Sequence, residues 1–498
     1  MQFPRINFDS PLARLEDVNA NQQSGYPTPT SVLDSLANGN ESSFVKDFVL
    51  PTPIPEDTVL FELIELFFAH FQDSFPCFHR ITIMDDLRTR KLQTESPLLL
   101  YSMCAIAARW HSNPAIKALE RDWYQQAKFF YELTERYPEP GLRTLQAVIC
   151  LIFHATTVGD FSAGYIYLGK AWRQACALGL NRLDAEENGT FFGPRPEPET
   201  CLEREESRRA LWLLFIADRG QSWPTGWPHA IDDRHFKIDL PIAEVDFQAM
   251  TLQGTPLTRN LDTLIRSCSA PHPGDPLNMF HYLVVAHIML GRTVEQVHSL
   301  HDPPDSPEYL QRLNHLDDQL IKFRLGLPRS ALYILEAPEE ARGHVIWLNT
   351  VLNTITILLH YRCAKFTTDE ETNAHFLQVV IAARNTANVV KDTSRINIDL
   401  LLNPHIVALY YLAACVLLVQ WRLTGDEALK SEMDLLRLVF ERCQEVFAFL
   451  GLKFKLSLQR DLEKDLEGIK EMRMMGFRGL LADCSKWKYI REGLAVLC

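Results

Sequence analysis

A stretch with two glycines and a lysine is the first feature that could carry chemistry. Gly164, Gly169 and Lys170 stand close to the spacing of a phosphate-binding loop. Such a loop wraps nucleotide phosphates in backbone N–H groups and needs a Ser or Thr after the lysine to hold magnesium. Ala171 takes that position here, and the residues between the glycines are the bulky Tyr-Ile-Tyr-Leu. We therefore predict a helix with two small contact residues rather than a nucleotide site.

Ser222 is the candidate nucleophile, because an elbow of the Gly-x-Ser-x-Gly type presents a serine at a tight strand-to-helix turn. Gly220-Gln-Ser222-Trp-Pro224 lacks the second glycine, and the residues before it have no strand pattern. Paired acids would suit an all-α enzyme that ionises diphosphates, since such enzymes bind magnesium through clustered carboxylates. None of the three Asp-Asp pairs, at 85, 232 and 317, is followed by an acid three residues later. We predict no catalytic residue.

Histidines and cysteines are the usual soft metal ligands. The closest histidine pairs, His298 with His301 and His229 with His235, lack the His-Glu-x-x-His spacing of zinc enzymes. The 11 cysteines include no Cys-x-x-Cys pair, and most of them lie within apolar runs. Their number and placement favour buried thiols in a reducing compartment over disulfides. We therefore predict no metal ligands.

Charge bears on the class of partner. The chain carries 50 basic and 63 acidic residues, a net charge of −13, which disfavours a broad nucleic-acid groove. Residues 451–498 are the most basic long segment, with ten basic and seven acidic residues. This excess is small beside the roughly 6–10 phosphate contacts of typical DNA-binding proteins. No DNA-binding residues are identified from the sequence.

The spacing of apolar residues predicts the secondary structure that positions these candidate residues. Leu60, Leu63, Ile64 and Phe67 recur every three or four residues, which is one face of a helix. Similar patterns, such as Ala115–Arg136, recur along the chain, and strict alternation over five or more residues is rare. We predict an all-α fold, a large single helical domain preceded by a disordered N-terminal segment.

Composition divides the chain into three segments. Residues 1–56 are rich in Pro, Ser and Thr, and because proline removes a donor and fixes φ we expect them to be extended or disordered. Residues 57–450 hold the main helical patterns, and residues 451–498 are predicted to form C-terminal helices that pack on or extend the domain. The longest apolar stretch, Ile406–Val419, is shorter than a membrane span, so we predict a buried helix and no membrane contact.

Several ordered motifs form a more specific constellation than any of these candidates. They are Phe71-Gln-Asp-Ser-Phe-Pro-Cys-Phe-His-Arg80, Gly169-Lys-Ala-Trp-Arg-Gln-Ala-Cys-Ala-Leu-Gly-Leu-Asn-Arg182, Glu205-Glu-Ser-Arg-Arg-Ala-Leu-Trp-Leu-Leu-Phe-Ile-Ala-Asp-Arg219, Gly226-Trp-Pro228 and Ile238-Asp-Leu-Pro241. In this order and spacing they resemble the regulatory domain of fungal-specific transcription factors, the middle homology region of the fungal binuclear zinc-cluster proteins. The likeness covers roughly residues 57–450 and is strongest over 60–245.

The resemblance implies an all-α regulatory body, a nuclear location with or without shuttling to the cytoplasm, and control of RNA polymerase II genes. Metabolic or secondary-metabolite gene clusters are typical targets. Most members read DNA through a six-cysteine zinc cluster near the N-terminus, but residues 1–76 contain no cysteine. We therefore expect no zinc cofactor, and indirect contact with promoter DNA through other transcription regulators, among them a zinc-cluster protein. A homodimer and a small-molecule effector remain open.

Two alternatives stay open at this point. The chain could be an incomplete product of a zinc-cluster DNA-binding transcription factor. It could also belong to another class, an all-α metabolite-binding protein or enzyme, because large helical bodies can hold apolar cavities.

The resemblance also implies a set of signature residues, which we expect to be mainly structural. They are Phe75, Pro76, His79, Arg80, Gly179, Arg208, Arg209, Trp212, Asp218, Arg219, Gly226 and Pro228. Arg209 follows Glu205 by four residues, the favourable order for an exposed helical ion pair. Asp218 and Arg219 could close a buried ion pair with a neighbouring helix or line a cavity. Trp223 and Trp227, the latter standing where the family often has arginine, are the candidate effector-facing residues.

Overall fold

The computed structural model describes residues 52–133, 141–185, 200–250, 278–299, 302–364 and 374–481. Within these ranges the chain forms helices joined by short turns and no extended strand, which confirms the all-α prediction. The α-helices are α1 Asp57–Phe71, α2 Arg80–Arg88, α3 Lys91–Glu95, α4 Pro97–Ala107, α5 Pro114–Ala118, α6 Glu120–Leu133, α7 Leu142–Val158, α8 Phe161–Ala177, α9 Cys201–Ser222, α10 Glu244–Gln248, α11 Met279–Val297, α12 Pro307–Gly326, α13 Arg329–Leu332, α14 Arg342–Cys363, α15 Ala374–Ser394, α16 Pro404–Thr424, α17 Glu427–Val446, α18 Ala448–Leu462, α19 Leu466–Met474 and α20 Phe477–Leu480.

One helix forms the centre of the C-terminal half. In α16, every residue from Leu409 to Val419 is at most 2% exposed. It is apolar on all sides because α14, α15, α17 and α18 surround it, as expected of a helix at the heart of a soluble bundle. The helix has the length and hydropathy of a membrane span, but 72% of its most apolar window is buried inside the protein.

The N-terminal half packs α4 against α1, α6 and α7, and α9 lies across α7, α8 and α11. Since α11 also packs along α14, α9 and the C-terminal helices share one continuous apolar core. The predicted boundary at residue 450 falls inside α18, which packs on α16, α17 and α7.

Most residues of the predicted disordered segment 1–56 lie outside the described ranges. Residues 52–56 are described and form no helix, but they belong to the packed body. The Tyr101 hydroxyl donates to the Thr52 carbonyl oxygen at 2.8 Å, and Ile54 packs on the core.

Local interactions divide one predicted helix into two. The pattern Ala115–Arg136 predicts one helix, but the described part is divided into α5 and α6 by a turn at Leu119. Asn113 caps α5, and Pro114 supplies its first residue, so this short helix has its own start signal.

Candidate functional site

The helix α9 carries five of the twelve signature residues. Thr200 and Glu203 form a reciprocal capping box that satisfies backbone donors at its first turn. Apolar residues follow, yet the helix also buries six charged side chains, each at most 3% exposed. These are Glu205, Glu206, Arg208, Arg209, Asp218 and Arg219. Because charged groups are rarely buried unless paired, their partners define the site.

Arg208 is held by two carboxylates. Its Nε and Nη2 donate to the two oxygens of Asp184 at 2.9 and 2.7 Å, and its Nη1 donates to Glu205. Burial alone would lower the pKa of the guanidinium, but these hydrogen bonds and charges outweigh it and raise the pKa. The Asp184 carboxylate also accepts the Asp239 backbone N–H at 2.9 Å, so the pair joins α9 to the residues that follow α8 and to the segment before α10.

Arg209 ties three segments together. Its Nε donates to Glu205 at 3.0 Å, the predicted i,i+4 pair. Its Nη1 donates to the Pro76 carbonyl at 2.8 Å and to Glu244 at 2.5 Å, and its Nη2 donates to the Ile242 carbonyl at 2.6 Å. The pair is buried rather than exposed, because these partners enclose the guanidinium.

Glu206 holds the turn that carries the Phe-Pro signature. Its Oε1 accepts the His79 backbone N–H at 3.2 Å, Arg143 Nη1 at 3.0 Å and Gln146 Nε2 at 3.3 Å. Gln146 also donates to the Cys77 carbonyl at 2.7 Å. The turn is thereby fixed to both α7 and α9.

The signature residues of this turn have distinct positions. The Phe75 ring lies 5.4 Å from Phe67 and 4.9 Å from Phe153, within an aromatic cluster. His79 is the N-cap of α2, and its Nδ1 accepts the Thr82 backbone N–H. Arg80 is exposed and pairs with Glu65.

Trp212 and Gly179 fix the neighbouring elements. The indole Nε1 of Trp212 donates to the Asp239 carbonyl at 2.9 Å, and its ring lies 4.5 Å from Phe236. Gly179 ends α8 with a φ of 73°, a left-handed conformation that favours glycine at this position.

The C-terminal end of α9 has a second, smaller ion site. Asp218 accepts the backbone N–H groups of Ala230 and Ile231 at 3.0 and 3.1 Å and pairs with Arg219 at 2.5 Å. Arg219 also donates to the Ile231 carbonyl at 2.9 Å and lies so close to Gly291 that an added Cβ would be 2.4 Å from its Nε. Of the two roles considered for these residues, a buried ion pair is present, but Asp218 and Arg219 pair with each other and hold a loop rather than bridging to a neighbouring helix.

The aromatic loop after α9 holds the candidate effector-facing residues. Trp223 is 2% exposed, and its carbonyl accepts His298 Nε2 at 3.0 Å. Trp227 is half-buried, with its ring 4.6 Å from Tyr165, whose hydroxyl donates to the Pro228 carbonyl. Gly226 has a φ of 69° beside His298. An effector role for the two tryptophans stays a prediction.

The described residues of the site form a scaffold of buried ion pairs and hydrogen bonds. Among the described residues, no group of three His, Cys, Asp or Glu side chains could hold a metal ion. A recess between α7 and α8, lined by Val148, Ala171 and Leu178 among others, has a volume of about 10 Å³, roughly one water molecule. What the arrangement does is hold segments that are distant in sequence by buried charge-assisted hydrogen bonds.

Several partners in this network escaped the sequence reasoning. Asp184, Glu244 and Arg143 lie outside the resembling motifs or at their margins, and no spacing links them to α9. Polar residues in helices and loops are usually solvated, so nothing in the sequence predicts that these side chains bond to α9.

Comparisons with known proteins place the site within a matched region. A family model described as "Fungal specific transcription factor domain" matches residues 64–314, which contain every signature residue. A Zn(2)-C6 fungal-type transcription factor FTF1c from Fusarium oxysporum is 25% identical over 305 residues, 57% of this chain and 31% of that protein. The uncharacterized transcriptional regulatory protein C1327.01c of Schizosaccharomyces pombe is 28% identical over 310 residues, 57% of this chain and 30% of that protein. Transcription factor AN6788 of Emericella nidulans is 22% identical over 239 residues, 48% of this chain and 36% of that protein. The matched region thus spans about a third of the length of these relatives.

Proposed function

The chain belongs to the fungal-specific transcription factor domain family, and from this membership we propose that it regulates RNA polymerase II genes in a fungal nucleus. The observation that carries the proposal is the family match over residues 64–314, which contains the α9 network and the turn that this network holds. The relatives are named as transcription regulators rather than enzymes, which favours regulation over the enzyme alternative.

We assign the recognition of DNA to protein groups other than the residues described here. The sequence contains no Cys-x-x-Cys pair, so residues 1–498 lack the paired thiolates that a zinc cluster uses. We propose that this body acts at promoters through a partner regulator, such as a zinc-cluster protein, and that metabolic or secondary-metabolite genes are its targets. If the chain is part of a longer product, an upstream zinc cluster would supply the same contact.

The buried network suits a body that presents surfaces to partners. Arg208 and Arg209 keep the segments around Asp184, Pro76 and Glu244 in fixed positions. A rigid scaffold of this kind lowers the entropy lost when a partner or effector binds.

A tethering experiment tests the proposal directly. The full chain would be fused to a heterologous DNA-binding domain and placed before a reporter gene in fungal cells. We expect the fusion to raise or lower reporter output, and a fluorescent fusion to accumulate in the nucleus. Output equal to that of the DNA-binding domain alone, under several nutrient conditions, would contradict a regulatory function.

A mobility-shift assay separates direct from indirect DNA reading. We expect the purified chain alone to give no sequence-selective shift of promoter DNA at 150 mM salt. A selective, salt-resistant shift would show that these residues read DNA themselves.

A further inference from the structure

A half-buried arginine on α12 stands outside the α9 site. Arg324 lies in the last turn of this helix, and its Nη2 donates to Asn353 Oδ1 at 3.1 Å and to Thr356 Oγ1 at 3.5 Å. Among the residues that the structure describes, its buried Nε has no hydrogen-bond partner and no carboxylate reaches ion-pair distance. Burial lowers the pKa of this guanidinium to about 10, although the charge of Asp317 acts in the opposite sense.

This environment is costly for a cation. A buried charge is tolerated when carboxylates and hydrogen bonds replace the water it has lost, and here only two neutral oxygens do so. The negative end of the α12 dipole offsets part of the cost. Asp317, one candidate counter-ion, lies 3.3 Å from His360 Nε2 instead. The guanidinium is therefore desolvated and oriented, but it lacks an anion from the described part of this chain.

Large apolar side chains flank the arginine on its own helix. Leu325 is 82% exposed and Ile321 is 48% exposed, and both are within one helical turn of Arg324. Just beyond the helix, Tyr333 and Leu335 are 54% and 57% exposed. An arginine flanked by large apolar side chains is typical of a hot spot in a protein–protein interface.

We propose that the surface formed by Ile321, Arg324 and Leu325 of α12 with Asn353 and Thr356 of α14, the Arg324 face, docks a segment of a partner protein. The segment supplies one carboxylate to Arg324 and apolar side chains to Ile321 and Leu325. Charge complementarity identifies the acidic group, since an unpaired guanidinium binds carboxylate in a bidentate fork.

Exposure of the apolar residues argues for a peptide segment rather than a free organic acid. A small carboxylate would cover Arg324 and leave Leu325 in water, whereas a segment with flanking apolar residues buries both. The face also lies beyond residues 64–314, so it is a property of this chain outside the matched domain.

A paired peptide array tests the proposal with the purified full chain. Each 15-residue peptide carries one Glu flanked by Leu or Phe at varied spacing, and its twin carries Gln instead. We expect the wild-type chain to bind at least one Glu peptide about tenfold or more tightly than its twin. Arg324→Met should remove this preference, and Leu325→Ser should weaken binding of both twins.

Arg329→Met is the matched control, because Arg329 is close in sequence, exposed, and already paired with Glu336. It should keep the preference for the Glu peptides. An array without any Glu preference, or a preference that survives Arg324→Met, overturns the proposal. Succinate binding that Arg324→Met abolishes, without a Glu preference on the array, would assign the face to a small organic acid and also overturn it.

Thermal unfolding separates a docking role from a structural one. Replacing an uncompensated buried charge with an apolar side chain of similar length is neutral or stabilising. We therefore expect Arg324→Met to unfold at the wild-type temperature or higher, and a clear fall relative to Arg329→Met overturns the proposal. The array does not depend on transcription, so its failure would leave the reporter result intact, and the reverse also holds.

Discussion

The two ends of α9 each bury an arginine, but different numbers of carboxylates form hydrogen bonds with the two guanidinium groups. Near the N-terminal end, Arg208 bonds both Asp184 and Glu205, and its pKa is raised despite burial. Near the C-terminal end, Asp218 is the one carboxylate among the described residues that bonds Arg219 directly. Burial lowers the pKa of Arg219, although the charges of Asp218, Asp233 and Glu295 act in the opposite sense. The two arginines therefore differ in the number of carboxylates that bond them directly.

Arg324 extends the same comparison to an arginine without a carboxylate partner in the described chain, and its pKa is lowered to about 10. The three sites form a series in which the protein's own compensation falls. A fully compensated site is suited to holding the fold, and an uncompensated one is suited to receiving a partner.

Removing the carboxylate at the compensated end should have the largest effect. Glu205→Ala would leave Arg208 and Arg209 with too few anions and orphan the Ile242 backbone N–H. We expect a loss of about 3–5 kcal/mol in the free energy of unfolding, measured by urea denaturation. Glu467→Ala, which breaks an exposed pair with Lys470, is the control and should cost less than about 0.5 kcal/mol. Equal costs for the two variants would remove the distinction between compensated and surface charges.

Two glycines within helices test how tightly Arg219 is confined near the C-terminal end of α9. Gly291→Ala would place a Cβ 2.4 Å from Arg219 Nε, and the confined guanidinium has little room to move. We expect a loss of about 1–3 kcal/mol by thermal or urea unfolding. Gly220→Ala, also in a helix but with open space around the added Cβ, should stabilise by about 0.5–1 kcal/mol. A stabilising Gly291→Ala would show that Arg219 is not tightly confined.

Acid should weaken the Arg219 end before the Arg208 end. Burial in the first place, with a contribution from the charge of Arg219, lowers the pKa of His287 to about 4. The unfolded chain therefore binds the extra proton between pH 6.5 and about 4, so stability is complete above pH 6.5 and declines as the pH falls. We expect His287 to account for about 1 kcal/mol of lost stability at pH 5.5.

Asp184, the carboxylate at the Arg208 end, takes up its proton only at a lower pH. Although burial raises the pKa of Asp184, its bonds to Arg208 outweigh that effect and lower it below the ordinary 3.8. Its contribution is present above that value and is lost as the pH falls further. Urea denaturation at pH 7.5 and 5.5 should show a smaller difference for His287→Phe than for wild type, and an unchanged difference for Asp184→Asn. The reverse pattern would contradict the assignment.

The smallest loss of stability is expected at Trp227 in the aromatic loop. Trp227 is half-buried against Tyr165, so Trp227→Ala should cost no more than about 1 kcal/mol. Trp223→Ala, at a fully buried position, should cost about 3–5 kcal/mol. If Trp227 faces an effector, its variant should change reporter output while the melting temperature stays close to wild type. Unchanged output under all nutrient conditions would contradict an effector role.

Sequence reasoning succeeded where one short stretch contains the whole signal. The apolar spacing of Leu60, Leu63, Ile64 and Phe67 predicted α1. A tertiary contact, which no local pattern shows, sets the start of α2 at Arg80 with His79 as its cap. His79 can cap this helix because its backbone N–H donates to Glu206 and its ring Nε2 bonds the Gln248 carbonyl oxygen.

The all-α class, the helix positions and the Glu205–Arg209 pair followed from the sequence, because a helical repeat and an i,i+4 spacing are properties of neighbouring residues. Only the tertiary structure brought Asp184 to Arg208 across 24 positions and Pro76 to Arg209 across 133. Separation along the chain does not set distance in space. Packing therefore decided which carboxylates from distant positions, such as Asp184, reach each buried arginine.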